Sequence, residues 1–396
     1  MRILPAPPEP DLTFPCRAGT HRVRLDMARY WHRATCPPCR TEVDRFRLRR
    51  VARWFRGMAP ASRLRVGSMR LSMVGLLVLL SLLYAMGLTV VLHLSADTWW
   101  LGTVLLFSGR WFWLLPVVPC VLLVAFLDRR WWPHVLATLV LLLVGVLGLR
   151  PGWRSWLPGS ESPALRVMTY NVEGGTVVQA RFRELVEAWS PDVIALQECS
   201  APIRPVFRAL PGYVIDDRAS CFASRFPIDS VALLERRNLE AAGGSGVVVS
   251  YHLRTPSGRV VVTNVHLETP RGGLEQLLAN PLQGGVAAVR ANTVLRDIES
   301  RLARRWVDAQ PAPRIVLGDF NTAPESRLFD QYWGEFTNAW GAAGRGFGYT
   351  KQNGWIQARI DHVLVDRQWR VRRAWVAGDY GSDHLPLVVD LERITP

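Results

Sequence analysis

Lysine is almost missing from this chain: of 48 basic residues, one, Lys351, is a lysine and the remainder are arginine. So strong a bias fits the coding of a high-GC bacterial genome. Acidic groups are missing from two consecutive stretches. Between Arg45 and Arg70 nine Arg occur with no Asp or Glu, and Leu71–Leu94 then holds no charged side chain, with His93 near its end. These absences exclude one uniform globular core, so segments are read separately. The formal charge of +15 is just as uneven. Residues 1–70 carry 16 Arg against 5 acids, whereas residues 151–396 carry 28 basic and 26 acidic groups. The C-terminal part is therefore close to neutral and lacks the basic footprint of a nucleic-acid binder.

The uncharged run Leu71–Leu94 is long enough to cross a ~30 Å hydrocarbon core as a helix. Some 70 residues precede it and no small-residue cleavage site follows, so a membrane span is expected and not a signal peptide. Trp111–Leu127 and Trp131–Leu149 are two shorter apolar runs, flanked by Trp99, Trp100 and Arg110 and by Arg150, and separated by Asp128-Arg129-Arg130. Three transmembrane helices are thus expected at about 71–94, 111–127 and 131–149. The Arg45–Arg70 flank and Arg129–Arg130 favour the cytoplasm. The expected topology is a multi-pass protein of a bacterial inner membrane, N-terminus in the cytoplasm, with the C-terminal domain outside.

Three of the six cysteines precede residue 40. His32, Cys36 and Cys39 have the spacing His-x3-Cys-x2-Cys, in which two thiolates can grip a tetrahedral Zn2+ and a His one turn earlier can face the same ion. Cys16 and His21 are the candidates for a fourth ligand. This cluster resembles the zinc-binding domain of anti-sigma factors. The resemblance implies a small cytoplasmic domain over residues 1–50 with a protein partner, joined by a basic juxtamembrane segment, 51–70. A redox Cys-x2-Cys pair and plain thiols are the competing readings. Cys120 falls within an apolar run and reads as a small apolar residue. Cys199 and Cys221 lie in the expected exported domain, where they could oxidise, but nothing in the sequence brings them together.

After a Pro/Gly/Ser-rich linker, 150–164, the pattern changes. Leu165–Tyr170, Val193–Gln197, Val247–His252, Val260–His266, Ile315–Leu317, Ile360–Val365 and Leu387–Leu391 read as strands, and Ala180–Ala188 and Ala287–Arg304 as helices. Polar residues stand where these strands end, which is where catalytic groups are commonly carried. In order they are Asn171-Val172-Glu173, Gln197-Glu198, Asn264-Val265-His266, Gly318-Asp319-Phe320-Asn321, Asp361-His362 and Ser382-Asp383-His384. A single Asp or Asn after a strand is a turn former more often than a catalyst. Six such motifs in fixed order are another matter.

The series resembles the endonuclease/exonuclease/phosphatase superfamily, which includes deoxyribonuclease I, abasic-site endonucleases, sphingomyelinases and inositol-polyphosphate 5-phosphatases. Spanning about 165–392, the resemblance implies an α+β fold: a four-layer α/β/β/α sandwich over 165–396 with the site at one edge. It implies a divalent-metal-dependent phosphoester hydrolase using Mg2+ or Mn2+, the hard cations that carboxylate and amide oxygens suit. By that resemblance Glu198 is the principal metal ligand with Asn171 beside it, Glu173 takes a secondary metal-side position and Asp383 faces the metal. Asp319 would position or deprotonate the attacking water, and Asn321 would hold the phosphate or that water. His384 would donate to the scissile phosphate, oriented by Asp361. His266 would protonate the leaving oxygen; abasic-site endonucleases have a Tyr there, so the residue points away from DNA repair. His362, Met168 and Tyr170 read as structural.

Two stretches depart from the family motifs: Glu268–Gly273 with Leu277–Gly285, and Gly344–Gln352. Both read as loops that select the leaving group, with Arg271, Arg345 and Lys351 as candidate phosphate or headgroup contacts. Three functions follow. The first is a membrane-tethered phosphodiesterase or phosphatase acting outside the cytoplasm on lipid headgroups or small phosphoesters. The second is an extracytoplasmic nuclease on DNA or RNA, disfavoured by the neutral domain charge. The third is a transmembrane anti-sigma-type regulator with the outer domain as sensor.

Overall fold

Alternation along Leu165–Asn171 shows how the C-terminal domain is built. Leu165 and Val167 belong to one buried cluster, and Met168 and Tyr170 to another on the opposite face. Successive strand residues point to opposite faces, so a strand buried on both must belong to an inner layer. The computed structural model describes residues 73–152, 165–172, 177–199, 201–216, 220–241 and 243–394, together with four three-residue strands nearer the N-terminus that pair as two hairpins. The zinc-ligand candidates Cys16, His21, His32, Cys36 and Cys39, the metal-side candidate Glu173 and most of the linker lie outside the described residues.

Fourteen strands follow from residue 165: β1 (Leu165–Asn171), β2 (Val193–Gln197), β3 (Tyr213–Asp216), β4 (Ser220–Ser224), β5 (Ile228–Leu233), β6 (Val247–Thr255), β7 (Gly258–His266), β8 (Arg314–Asp319), β9 (Thr337–Asn338), β10 (Lys351–Asn353), β11 (Ile356–Ala358), β12 (Asp361–Val365), β13 (Trp369–Val376) and β14 (Leu387–Arg393). Two six-stranded sheets result, ordered β13-β14-β1-β2-β4-β3 and β9-β12-β8-β7-β6-β5, while β10 and β11 form a separate hairpin. In each sheet one pair is parallel, β1 with β2 and β7 with β8; their neighbours are antiparallel. A parallel pair brings both C-terminal ends to the same edge. Gly318 permits the second of these pairs, since at its φ of +138° a Cβ would drive into the Val265 carbonyl.

The sheets face each other across a core of Val167, Val193, Phe222, Val249, Tyr251, Val262, Leu317 and Val363, with the Phe222 and Tyr251 rings stacked at 3.7 Å. Helices Gln179–Trp189 and Arg204–Arg208 cover one outer face through Phe182, Leu185, Val206 and Phe207. Helices Gly285–Asp308 and Arg327–Trp333 cover the other through Ala303, Val307, Phe329 and Trp333. The seven expected strands and both expected helices are present, within a mixed α and β fold of four layers. Between β7 and the long helix, where a loop was expected, Arg271–Ala279 is helical.

The apolar region differs from expectation. Met73–Ser95, of 23 residues, is the one described helix long and apolar enough by itself to cross a bilayer. In the second expected span Arg110–Val117 is a 3-10 helix containing Pro116, and only Val118–Phe126, opening with Pro119, is α-helical. Two prolines within four residues remove amide donors that a continuous α-helix needs. Trp100–Phe107 and Arg110–Phe126 reach spanning length only when taken together across a sharp bend. In the third, Trp132–Leu141 passes into a π turn, Leu142–Val146, giving 15 helical residues, about 22 Å. Between the first and second expected spans, Trp100–Phe107 is helical.

The chain forms two compact units, residues 1–82 with 117–136 and residues 83–116 with 137–396. Within the first, Cys120 Sγ lies 3.6 Å from the Leu77 carbonyl, and Leu80, Leu122 and Phe126 are exposed. The second contains the sandwich, the C-terminal end of the first helix and the segment from Ala96 to Pro116. In that unit Arg150 and Gly346 exchange backbone hydrogen bonds at 2.9 Å.

Candidate active site

The inward-pointing set that fills the core ends in polar residues. On β1 the series Leu165, Val167 continues to Thr169 and Asn171, and on β2 Val193, Ala195 continues to Gln197. On β7 and β8 the inward positions end at His266 and Asp319, which stand opposite each other in register. Asp319 is in turn opposite Asp361, the first residue of β12. Registry therefore gathers these groups within each sheet, and the packing of the two sheets brings both sets to one edge of the sandwich. His362 falls on the other face of β12, against Phe320 and Phe329, and takes no part in the site.

The side chains come close together at that edge. Asn171 Nδ2 donates to Glu198 Oε1 and to Asp319 Oδ2, each at 3.0 Å. His266 Nε2 lies 3.7 Å from Glu198 Oε1 and 3.9 Å from Asp319 Oδ2. His384 Nε2 approaches the same Asp319 oxygen at 3.7 Å, and its Nδ1 is 2.8 Å from Asp361 Oδ2. The Asn321 backbone N–H donates to Asp319 Oδ1 at 2.8 Å, and its side-chain amide to the Leu267 carbonyl at 2.8 Å. Asp383 lies beside His384, 3.9 Å away, and pairs with Lys351 Nζ. Asp319, Asp361, Asn171 and His384 are nearly fully buried, whereas the Glu198 side chain is 38% exposed. Ser382 Oγ donates to the Asn171 carbonyl at 2.9 Å and accepts from the His384 N–H at 3.0 Å, tying the last motif to the first.

Two of these residues adopt left-handed backbone, Glu198 at φ +52° and Asn321 at φ +48°. Each directly follows a strand or its neighbour, and the reversal turns the side chain back over the sheet edge. Such geometry is uncommon outside glycine and persists where surroundings enforce it. Behind Glu198, Cys199 is disulfide-bonded to Cys221 on β4, with 5.7 Å between their Cα atoms.

Electrostatics follow from burial and crowding. Asp319 is held above the ordinary carboxylate range, by burial and by the charge of Asp361. For His384 burial disfavours the charged ring, but the carboxylates of Asp361 and Asp319 outweigh it and raise the imidazole to about 9. For His362 burial is the largest effect; it outweighs the Thr322 carbonyl and the charges of Asp361 and Glu325, and the imidazole is lowered to about 4.

The edge opens into a cleft of about 460 Å3. Glu198, His266, Asp319, Asn321 and His384 line it, with Lys351 and Arg271 among the walls. Lys351 is brought there by a backbone bridge to His384. Arg345, the third cationic candidate, faces another pocket, with Trp340 and Arg373. One side of the cleft is apolar, formed by Leu274 and Leu278, Ile356 and Phe107.

Some structural partners were given no role from the sequence. Gln197 Nε2 donates to Asn264 Oδ1 at 2.7 Å, and Asn264 Nδ2 to the Leu196 carbonyl at 3.1 Å, linking the two sheets beneath the site. Both residues stood within strand-end motifs; their inward position on β2 and β7 was the clue. The contacts of Asp97 and Arg110 with the sandwich had none.

The match to the endonuclease/exonuclease/phosphatase family covers residues 168–384. Similar solved structures include an endonuclease/exonuclease/phosphatase from Beutenbergia cavernae DSM 12333, 22% identical over 58% of this chain and 71% of that one, with a TM-score of 0.42. A humanized D. rerio TDP2 is 16% identical over 58% and 98%, TM-score 0.46. The human Nocturnin catalytic domain with bound sulfate is 17% identical over 62% and 100%, TM-score 0.41. Among curated proteins there is no match. The matched residues run from β1 to the His384 motif and take in more than half of the chain, which belongs to the endonuclease/exonuclease/phosphatase family.

Proposed function

We propose that this protein is a membrane-tethered, divalent-metal-dependent phosphoester hydrolase acting outside the cytoplasm, with an amphiphilic or small phosphodiester as substrate. The observation that carries the reading is the approach of both His266 and His384 to one oxygen of Asp319, at 3.9 and 3.7 Å. Two imidazoles meeting at one buried carboxylate set proton donors beside a base, the combination that hydrolysis of a phosphoester by an activated water calls for.

The donor chemistry fits Mg2+ or Mn2+. Glu198, Asn171 and Asp383 offer hard oxygens, and Asp319 and Asp361 crowd further negative charge beside them. Such an ion, when bound, would neutralise charge on the phosphate oxygens. Glu198 would be its main ligand, with Asn171 and Asp383 alongside. The remaining work falls to the chain. Asp319 orients the attacking water and accepts its proton, the raised affinity of its buried carboxyl suiting it to that part. Asn321 holds the phosphate or that water. His384 donates from Nε2 to a phosphate oxygen while Asp361 fixes its Nδ1–H. His266 protonates the leaving oxygen. Lys351 adds positive charge at the rim.

Membrane tethering is supported by the helix Met73–Ser95, and an outer location by the Cys199–Cys221 disulfide, since oxidised pairs persist in extracytoplasmic compartments. The apolar wall favours a substrate that is not wholly polar: Leu278 is 83% exposed, and Trp355, at the tip of the hairpin that brings Lys351, is 77% exposed.

The test uses full-length protein in detergent with Mg2+, offered bis-p-nitrophenyl phosphate, phospholipid vesicles, plasmid DNA and RNA. Hydrolysis of the first two, lowered by about 10³-fold or more by Glu198→Ala and by His384→Ala, is the expected result. Preference for DNA or RNA would make the protein a nuclease, and wild-type activity after either substitution would overturn the site.

A further inference from the structure

Arg296 sits at the middle of the helix Gly285–Asp308, 2% exposed, where a long charged side chain needs a reason to be. Its partner comes from the far end of the sequence. Asp97, two residues beyond the first apolar helix and 1% exposed, accepts from Arg296 Nη1 at 2.6 Å and Nη2 at 3.4 Å. Ser326 Oγ donates to Asp97 Oδ2, the oxygen that Nη2 also approaches, and the Arg327 N–H donates to the Ala96 carbonyl at 3.3 Å. Asp97 itself is left-handed, φ +64°.

The rest of the guanidinium is aimed at the catalytic loop. Arg296 Nη2 donates to the Asn321 carbonyl at 3.0 Å and to Thr322 Oγ1 at 3.1 Å. That carbonyl belongs to the left-handed residue whose N–H holds Asp319 Oδ1 and whose amide reaches Leu267. A chain of contacts thus runs from Asp97 through Arg296 to Asn321 and Asp319. A second buried pair docks the same segment without touching that carbonyl: Arg110 Nη2 donates to Glu325 Oε2 at 3.1 Å, and Arg359 flanks the other Glu325 oxygen at 3.5 Å.

We propose that Asp97 is a positioning residue for catalysis: it fixes Arg296, which fixes the strained Asn321 turn, so the segment leaving the first apolar helix completes the active site. The proposal rests on the reading of Asp319 and Asn321 as catalytic. Its consequence is that hydrolysis requires this segment to be seated. An Arg296 free of Asp97 has other rotamers open to it, and Asn321 loses the contact that holds it in a backbone region costly for a non-glycine residue. Groups that orient a catalytic shell typically contribute roughly 10–100-fold to activity.

The experiment is steady-state hydrolysis of bis-p-nitrophenyl phosphate by the full-length chain in detergent with saturating Mg2+. Variants are Asp97→Asn, Glu325→Gln and Asp97→Asn/Arg296→Gln, each with its thermal midpoint, and Asp319→Asn serves as the site control. Asp97→Asn is expected to lower kcat roughly 10–100-fold with KM within about twofold, while Glu325→Gln lowers the midpoint and leaves kcat within about twofold. The double variant removes both buried charges together, so it answers the question if the single variant fails to fold, and should show the same kcat loss. Wild-type kcat in a folded Asp97→Asn or double variant overturns the proposal, as do equal kcat losses in Asp97→Asn and Glu325→Gln, which would mean docking in general and not the Arg296 relay. Retained activity in Asp319→Asn would instead overturn the site reading on which the proposal stands.

Discussion

His384 Nδ1 lies 2.8 Å from Asp361 Oδ2, and neither side chain exposes more than a few per cent of its surface. A pair so enclosed holds the ring at one tautomer, with Nδ1–H on the carboxylate and Nε2 directed into the cleft. Asp361→Asn keeps the shape and removes the charge. Its expected effect is a fall in kcat of about 10²-fold, with His384→Ala reaching about 10³-fold, the range of a positioned proton donor. Single-turnover hydrolysis of bis-p-nitrophenyl phosphate checks this; an Asp361→Asn enzyme of wild-type rate would deny the pair its role.

The neighbouring imidazole, His362, makes a prediction about stability. Its Nε2 lies 2.9 Å from the Thr322 carbonyl and its Nδ1 3.2 Å from Asn338 Nδ2. The first nitrogen therefore carries the proton and the second accepts, so a second proton at Nδ1 would face another donor. With the folded group lowered to about 4 and the free side chain at 6.5, the unfolded state takes up more protons between those values. Stability falls as pH drops from 6.5 to about 4, by on the order of 3 kcal/mol, and levels off below. Urea unfolding of the wild type and of His362→Phe across that range should show a slope that the variant lacks.

The disulfide leads to a third expectation. Cys199 directly follows Glu198, and the bond to Cys221 closes a loop of 22 residues. Breaking it should cost roughly 3 kcal/mol through the freedom returned to the unfolded chain. It should also loosen the Glu198 turn, so Cys199→Ser/Cys221→Ser is expected to need several-fold more Mg2+ for half-maximal hydrolysis. An unchanged Mg2+ requirement would confine the bond to stability.

Leu278 tests the apolar wall. It lines the cleft, yet 83% of it is in solvent, so it adds little to the core. Leu278→Asp should reduce hydrolysis of a phosphodiester presented in vesicles about tenfold, the worth of one buried leucine contact. Turnover of bis-p-nitrophenyl phosphate should stay within about twofold. Equal losses on both substrates would remove the wall from substrate selection.

Much of this was legible in the sequence, for a physical reason. Strands buried on both faces read as continuous apolar runs, and Leu165–Tyr170, Val193–Gln197 and Ile360–Val365 stood out because the sheets lie between helices. Their polar ends could be ordered, and parity decides which side of the sheet each one serves, so Asp361 and His362 separate. The edge strands were harder. Ile228–Leu233 is half exposed, with no clean alternation, and Tyr213–Asp216 is only four residues long. Arg271–Ala279 passed for a loop because Gly272 and Gly273 obscured the helical spacing of Leu274, Leu277 and Leu278. The apolar runs were read by hydropathy, which ignores the missing amide donors of Pro116 and Pro119. Asp97 and Arg296, 199 residues apart, carry no local pattern at all.

That long-range pair also governs how the catalytic domain behaves alone. A fragment from residue 153 onward keeps every side chain of the cleft floor, but it loses Asp97, Arg110 and Phe107, whose ring lies 5.4 Å from the Arg296 guanidinium. Arg296 would be left without its carboxylate beneath Ser326 and Asn321. Glu325, held down to about 2 by Arg110 and Arg359 against the opposing effect of burial, would keep only one of its two cations. Removing one member of a buried pair is destabilising by roughly 3–5 kcal/mol, because the remaining charge stays desolvated and unmatched. Marginal domains have about 5–15 kcal/mol in all, so the fragment should unfold at markedly lower urea than the full chain, and Arg296→Met should recover part of the difference by removing the stranded charge. A fragment as stable as the parent would mean that the 96–110 segment contributes nothing to the sandwich.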